Sequence, residues 1–202
     1  MECGPQSLSL DAVRKALERP ARLLEAKDEG SASVAMILRE TDRGLELLLQ
    51  QRARHSRDPW SGNLAFPGGR RDPADADLRA TAERETLEEV GLVLESARYL
   101  GRLDDILGAY LPVRVSCFVY FIRHSPELVL NHEVHRCLWV PLQTLCHPQR
   151  HVLTDVPWAG ALRRAEGIDV LGEEGPLLWG ITYRLVRQLL ERLGALSGLD
   201  RF

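Results

Sequence analysis

The feature that most constrains the fold is one uninterrupted helical run set among strand-like runs. Residues 78–90 contain neither glycine nor proline and are rich in Ala, Leu, Glu and Arg, which favour helix. Gly91 follows directly, where a glycine commonly ends a helix. Short apolar runs predict strands over 33–39, 45–52, 92–103, 112–123 and 137–140. Because these elements are interspersed without regular alternation, we expect an α/β fold with a mixed sheet between helices.

The segments around this pattern set the predicted domain organisation. Leu10, Val13 and Leu17 have helical spacing and predict a first helix over 9–19, followed by a polar linker. Prolines and glycines over 147–175 predict loops with one short strand. Residues 176–193 predict a closing helix that has Pro176 in its first turn. We therefore expect an N-terminal helix and linker over 1–30 and one compact domain over 31–202.

Composition excludes several classes of partner. The formal net charge of −3 argues against a broad surface for nucleic acid or an anionic membrane, since both need a cationic footprint. No run of about 18 apolar residues predicts a spanning helix, and the N-terminus lacks the pattern of a signal peptide. No two of the four cysteines form a CxxC pair, so a reduced, cytoplasmic setting is expected.

Three glutamates carry the strongest chemical signal. On a helix, Glu85, Glu88 and Glu89 project from one face, where their negative charges repel one another. A hard divalent cation, Mg²⁺ or Mn²⁺, would relieve that repulsion. Arg84 can hold one carboxylate through a bidentate contact, and the carbonyl of Gly69 can complete the cation's ligands. The alternative is an ordinary solvated helix face.

Basic residues upstream suggest an anionic ligand. Arg52, Arg54 and Arg57 are candidate phosphate binders, because guanidinium groups pair well with phosphate oxygens. An ordinary solvated loop explains the same residues equally well. Trp60 either stacks on a nucleobase or covers the edge of the sheet. The pair Asp104–Asp105 either contacts substrate or metal, or forms a turn.

The whole segment from the glycine turn to the helix end resembles the Nudix box. That motif has a glycine, five residues, an acid, and then Arg-Glu-x-x-Glu-Glu-x-Gly before an aliphatic residue. Gly69, Asp75 and the run from Arg84 to Leu92 supply these positions here. Three departures are present: the spaced acid is Asp rather than Glu, eight residues instead of seven separate it from Arg84, and Thr86 replaces an aliphatic residue.

The Nudix resemblance implies a fold, a metal and a reaction. The fold is a Nudix-type α/β/α sandwich, and the activity is Mg²⁺- or Mn²⁺-dependent hydrolysis of a diphosphate bond in a small nucleoside diphosphate derivative. The implied catalytic residues are Glu85, Glu88 and Arg84. The implied metal ligands are Glu85, Glu88, Glu89 and Gly69. Glu133 is a candidate helper, since an acid of that region can line the site in this family.

The substrate is less closely defined. The aspartate and the eight-residue gap resemble a variant of the coenzyme A diphosphatase branch, as does the sequence upstream of the box. That resemblance implies coenzyme A or acyl-CoA as substrate. It implies substrate-binding residues at Arg52, Arg54, Arg57, Phe66 and Gly68. Nucleotide sugars, dinucleotides and nucleoside triphosphates remain alternatives, as does a Nudix-fold binding module without catalysis. The oligomeric state stays open, a dimer included.

Overall fold

The computed structural model of the chain describes residues 8–25, 30–55, 60–108, 113–124, 127–158, 160–172 and 175–196. The helices are α1 (Leu10–Leu17), α2 (Leu78–Val90), α3 (Leu142–Leu145) and α4 (Gly180–Arg192). The strands are β1 (Ser31–Thr41), β2 (Gly44–Arg52), β3 (Leu64–Ala65), β4 (Gly68–Arg70), β5 (Arg98–Arg102), β6 (Ile106–Leu107), β7 (Arg114–Ile122), β8 (Val134–Pro141), β9 (His151–Trp158), β10 (Ala161–Ile168) and β11 (Leu178–Trp179). Over these ranges, every helix is too short or too polar to cross a membrane.

Strands β1 to β8 form one sheet that mixes parallel and antiparallel pairs. β1 pairs in parallel with β7 and antiparallel with β2. β8 pairs with β2 on the side away from β1, since Leu47 faces Leu38 on one side and Val140 on the other. β5 and β6 pair antiparallel with β7. A parallel pair needs a long crossover between its strands, and α2 belongs to that crossover. The predicted mixed sheet is confirmed.

The short strands β3 and β4 bring the chain between β2 and β1 before α2 begins. β3 pairs with Gln50 and Gln51 of β2, whereas β4 pairs with β1. Between them, the carbonyl of Pro67 accepts a hydrogen bond from the N–H of Ala35 at 2.9 Å. The glycine turn that starts at Gly68 is therefore fixed in the sheet, rather than being a free loop.

The sheet is covered on both faces, which produces the predicted α/β/α sandwich. Ala35, Ile37 and Leu48 face α2, whose Ala82 and Val90 join the same apolar cluster. Neighbouring residues of β1 and β2 point the other way and pack with α1 and α4 in a second cluster. This division follows from the two-residue repeat of side chains along a strand. The N-terminal helix α1 packs against β5 and α4.

Residues 147–175 differ from the expectation of loops with one short strand. β9 and β10 form an antiparallel hairpin over this segment, and β11 extends it to a second sheet of three strands. The turn glycine Gly160 has φ of 79°, which suits the reversal between the two strands. Much of β10 is exposed, so the apolar alternation that usually reveals a strand is weak here.

The closing helix also begins later than predicted. α4 starts at Gly180, because Leu178 and Trp179 pair with Ile168 and Gly167 of β10 instead. Pro176 therefore precedes a strand and does not lie in the first turn of the helix. The predicted strand over 92–103 is likewise shorter, since a 3₁₀ turn precedes β5.

The pair Asp104–Asp105 ties chain segments together. Asp104 accepts hydrogen bonds from the Arg192 side chain at 2.6 Å and from the backbone N–H of Arg22 at 2.7 Å. Asp105 accepts from the hydroxyl of Ser116 at 2.7 Å and from the side chain of Arg102. All of these partners are structural, so the alternative of a substrate or metal contact has no support in this geometry.

Candidate active site

Local sequence fixes both ends of α2, the helix that carries the glutamates. At its start, the Asp77 side chain accepts a hydrogen bond from the N–H of Ala80 at 2.8 Å. At its end, Gly91 has φ of 70°, a left-handed conformation that costs glycine little. A Cβ at Gly91 would also crowd Val129, at 2.9 Å from the Cβ of that residue. The helix therefore runs from Leu78 to Val90 as predicted.

Glu89 is a buried carboxylate held by the sheet. Its side chain lies at the last turn of α2 and is only 3% exposed. Oε2 accepts hydrogen bonds from the Gln50 side chain and from the N–H of Gly68, both at 2.8 Å. Burial raises the pKa of Glu89 to about 7, although these two bonds oppose the shift. The amide oxygen of Gln50 is itself buried and has no hydrogen-bond partner among the described residues.

The glycine turn passes directly beside Glu85. A Cβ on Gly69 would overlap the Glu85 carboxylate, and a Cβ on Gly68 would overlap the carbonyl of Ser33. Gly68 also has φ of 150°, which disfavours any other residue there. Gly69 is therefore needed for the backbone to approach the acidic face of α2, and Gly68 is needed for its approach to β1.

Arg84 joins three carboxylates. Its Nε and Nη2 donate to the two oxygens of Asp75 at 2.9 and 3.0 Å, which is a bidentate pair. Its Nη1 donates to Glu85 at 3.0 Å and to Glu88 at 3.1 Å. The hydrogen bonds from Arg84 hold the pKa of Asp75 well below its usual range. Asp75 also accepts a hydrogen bond from the hydroxyl of Thr81 at 2.8 Å. Asp75 is thus itself fixed to α2 and holds the side chain of Arg84 in place.

Burial, together with repulsion among the acids of this face, raises the pKa values of two of them. Burial raises the pKa of Glu85, and the charges of Glu88 and Glu133 raise it further. The charge of Glu85 in turn raises the pKa of Glu89. Within the described residues, no three His, Cys, Asp or Glu side chains enclose an ion as they stand. Arg84 engages Glu85 and Glu88 in this arrangement. Excess negative charge and oxygen donors fit Mg²⁺ or Mn²⁺ once those contacts with Arg84 loosen.

Beyond the helix end, the chain returns alongside α2. The N–H of Val129 donates to the carbonyl of Val90, and the N–H of Asn131 donates to the carbonyl of Glu89, both at 3.0 Å. These bonds satisfy carbonyls that a helix end normally leaves open. The segment leads into β8 and brings Glu133, an exposed residue, near enough to Glu85 to affect its pKa.

An open cleft of about 1440 Å³ lies between the end of β2 and the second sheet. Three arginines and two histidines from β2, the loop after it and β8 line one part of this cleft: Arg52, Arg54, His55, His135 and Arg136. Val156 and Pro157 of β9 and Trp179 of β11 line another part. Trp179 donates its ring N–H to the side chain of Asn63 at 3.2 Å, which joins the second sheet to the segment before β3.

The structure brings together some of the predicted substrate residues. Arg52 and Arg54 both line the cleft, and the charge of Arg52 lowers the pKa of Glu89. Gly68 contributes its N–H to Glu89. Phe66 is a correction: its side chain is 2% exposed and packs in the apolar cluster under α1 and α4, which leaves no surface for a ligand. Arg57 lies outside the described residues.

Sequence reasoning did not single out two polar residues that hold α2. Gln50 on β2 bonds to Glu89, and the hydroxyl of Tyr120 on β7 donates to Glu83 at 2.9 Å. A glutamine inside the apolar run of β2 is the signal that could have revealed the first. Tyr120 lies in a continuous apolar run, and nothing in its sequence context distinguishes it from ordinary core.

Comparisons with known proteins show the family of this chain. A family model described as NUDIX domain matches residues 30–162. Uncharacterized protein C14C4.10c of Schizosaccharomyces pombe is 36% identical over 58% of this chain. Probable nudix hydrolase C6G9.05 of the same yeast is 29% identical over 85% of this chain. The chain spans 38% of the length of the first and 59% of the second.

A solved structure supports the fold. The MutT/nudix family protein from Enterococcus faecalis matches with a TM-score of 0.56 and 18% identity. The match covers 92% of this chain and 74% of that one. The chain belongs to the Nudix family, as its glycine turn and glutamate helix had indicated.

Proposed function

We propose that this protein is a divalent-cation-dependent hydrolase that cleaves a diphosphate bond in a nucleoside diphosphate derivative. The observation that carries the proposal is the acidic face of α2, where Glu85, Glu88 and Glu89 repel one another beside a fixed glycine turn. Solvated surface glutamates would not be 3% exposed or bonded to a buried glutamine, as Glu89 is. A cation is the partner that such a set lacks.

The groups that would hold Mg²⁺ or Mn²⁺ are the three glutamates and the carbonyl of Gly69. The hydrogen bonds that Glu89 accepts from Gln50 and from Gly68 both reach Oε2, and Oε1 takes part in neither of them. Glu85 lies against the turn that contains Gly69. When bound, the cation would neutralise charge on the diphosphate and favour attack by water at phosphorus.

The protein's own residues would position the substrate and deprotonate the attacking water. Glu85 and Glu88 are the candidates for accepting the proton of the attacking water, because both reach the outer part of the face. Arg84 holds these two carboxylates and is anchored by Asp75. Glu133 is near enough to assist through its charge. Arg52 and Arg54 would bind phosphate oxygens from the cleft.

Coenzyme A or an acyl-CoA is the first candidate substrate. Its diphosphate and additional 3′-phosphate are strongly anionic, which suits the three arginines that line the cleft. A cleft of about 1440 Å³ also exceeds the size common for small ligands, so a long substrate fits. The expected products are adenosine 3′,5′-bisphosphate and a phosphopantetheine compound.

Mass analysis after incubation with coenzyme A and Mg²⁺ tests the proposal. The same reaction with a nucleotide sugar, a dinucleotide and a nucleoside triphosphate separates the substrate from the reaction class. Cleavage of another compound in this panel, with coenzyme A intact, would overturn the coenzyme A assignment alone. Binding of these compounds without cleavage of any would instead support a binding module.

A further inference from the structure

A polar network on the far side of α2 connects the helix to β7. Tyr120 is fully buried, and its hydroxyl donates to Oε1 of Glu83 at 2.9 Å. Nε of Arg79 donates to the same oxygen at 2.8 Å and to the Tyr120 hydroxyl at 3.3 Å. The Arg79 guanidinium lies 4.4 Å from the ring centroid of Tyr99, the partner of Tyr120 across β5 and β7.

This network lies opposite the acidic face. With 3.6 residues per turn, Glu85, Glu88 and Glu89 project roughly 120° to 160° away from Glu83 around the helix axis. Because this angle turns Glu83 away from the three glutamates, Glu83 and its partner Tyr120 can act on the acidic face only through the placement of α2.

The buried stripe of α2 between these two flanks consists of small side chains. Ala82 and Thr86 are fully buried there, and Val90 follows them along the stripe. Small side chains interlock weakly with a sheet, so apolar packing alone permits rotation and sliding of the helix. Hydrogen bonds are limited in length and direction and restrict both motions.

The polar bonds brace α2 from two strands. Gln50 on β2 holds Glu89 on one flank of the stripe, and Tyr120 on β7 holds Glu83 on the other. β1 lies between these strands and packs beneath the helix. Loss of either bond removes one restraint on rotation of the helix about its axis, and Glu85 and Glu89 would shift with the helix.

We propose that Tyr120 and Glu83 are positioning residues that set the rotation of α2 and thereby the geometry of its acidic face. This inference rests on the proposed metal-dependent hydrolysis. It differs from a general role in stability, because it requires a loss in turnover and in cation affinity beyond what unfolding explains.

The chain offers a matched control in a second Tyr–Glu–Arg network. Tyr183 on α4 is 6% exposed, and its hydroxyl donates to Glu166 at 3.3 Å. Arg187 donates to the same carboxylate at 3.1 Å. Tyr183→Phe therefore removes a comparable hydroxyl from a comparable network that does not touch α2.

The test compares Tyr120→Phe, Tyr183→Phe and wild type by Mn²⁺ titration calorimetry, turnover and thermal unfolding. We expect Tyr120→Phe to raise the Kd for Mn²⁺ and to lower kcat by about tenfold each, since misplacement of fixed groups by less than about 1 Å is already costly. KM should stay unchanged. Tyr183→Phe should lower the Tm by a similar amount and leave the Kd and kcat as in wild type.

Equal Kd and kcat in the two variants would overturn the positioning role. If the losses in kcat of Tyr120→Phe and Glu83→Ala multiplied in the double variant, that result would also contradict the positioning role. The two residues share one hydrogen bond, so the second substitution should add little to the first. Wild type that binds Mn²⁺ but cleaves nothing would refute the hydrolase alone, and the Kd values would still decide the positioning role. Wild type without Mn²⁺ binding would refute both.

Discussion

The acidic face of α2 and the wall that the second sheet gives to the cleft are built in different ways. On the α2 side, carboxylates are buried and held: Glu89 by two hydrogen bonds and Asp75 by a bidentate arginine. On the other side, the ion pair across β9 and β10 is exposed. Asp155 and Arg164 approach only to 4.0 Å, with side chains 54% and 62% exposed.

This difference separates the demands of reaction from those of recognition. Displacement at phosphorus requires fixed donors and charges, and misplacement by about 1 Å can cost 100-fold in rate. Recognition of a long, flexible substrate tolerates adaptable surface groups, since exposed ion pairs contribute little. We therefore expect variants beside α2 to change kcat, and variants of the cleft wall to change KM.

The largest expected effect is that of Glu89→Gln, which keeps the shape and removes the charge. Turnover should fall by about 100- to 1000-fold, the range common for loss of one fixed electrostatic group. Glu95→Gln, at an exposed glutamate just beyond the helix, should retain full activity. Steady-state kinetics of both variants with Mg²⁺ checks this. An unchanged rate in Glu89→Gln would remove Glu89 from the metal site.

The pH dependence of stability gives the next effect. The folded-state pKa of Glu89 is raised from 4.5 to about 7, so its stabilising protonation is present below pH 4.5 and lost as pH rises through 7. Without cations, the free energy of unfolding should fall by about 3 kcal/mol between these pH values. Urea unfolding of wild type and Glu89→Gln measures the difference, and excess Mg²⁺ should reduce it. If the free energy of unfolding depended on pH in the same way in the two proteins, the raised pKa of Glu89 would be contradicted.

On the cleft side, Arg54→Ala should raise KM for coenzyme A by about tenfold, the cost of one hydrogen bond to a charged group. The kcat should change little, because Arg54 lies away from the acidic face. Arg98→Ala, at an exposed residue of β5, is the control. Dephospho-coenzyme A should show a smaller effect if Arg54 binds the third phosphate. A loss confined to kcat would blur the division between the two sides.

The smallest effect should come from Trp179→Phe. This variant removes the bond to Asn63 and keeps an aromatic ring in the cleft. One neutral hydrogen bond contributes about 1 kcal/mol, here to holding this wall of the cleft in place. Loss of this bond should therefore raise KM by no more than a few-fold and leave kcat unchanged. Kinetics with coenzyme A tests this. If kcat fell as far as in Glu89→Gln, the second sheet would have to position the reacting groups as well as bind substrate.

Local signals made α2 predictable from sequence. Asp77 and Gly91 mark its ends, and the spacing of its glutamates places them on one face whatever the surroundings. The clamp of Arg84 on Asp75 was partly predictable, since a bidentate arginine was expected but its partner was not. That partner depends on how the loop after β4 folds back on the helix, and no local pattern encodes this path.

The second sheet and the bracing residues were not predictable in the same way. β9 and β10 expose much of their surface, and Pro157 and Gly160 resemble loop residues in isolation. Leu178 and Trp179 leave the expected closing helix only because β10 is there to pair with them. Tyr120 gains its importance from Glu83, 37 positions earlier in the chain. Each of these features depends on a partner distant in sequence.

The backbone bonds from Val129 and Asn131 to the end of α2 have a consequence for divergence. Main-chain groups are the same in every residue except proline, so substitutions at these positions leave the bonds intact. Gly91, where a Cβ would crowd Val129, and Leu128, which packs against the apolar cluster under α2, restrict the side chains at this junction. The other residues of this segment can therefore vary among relatives while the path of the backbone stays constant. The segment would then be variable in sequence, although it links the glutamate helix to the strand after Glu133.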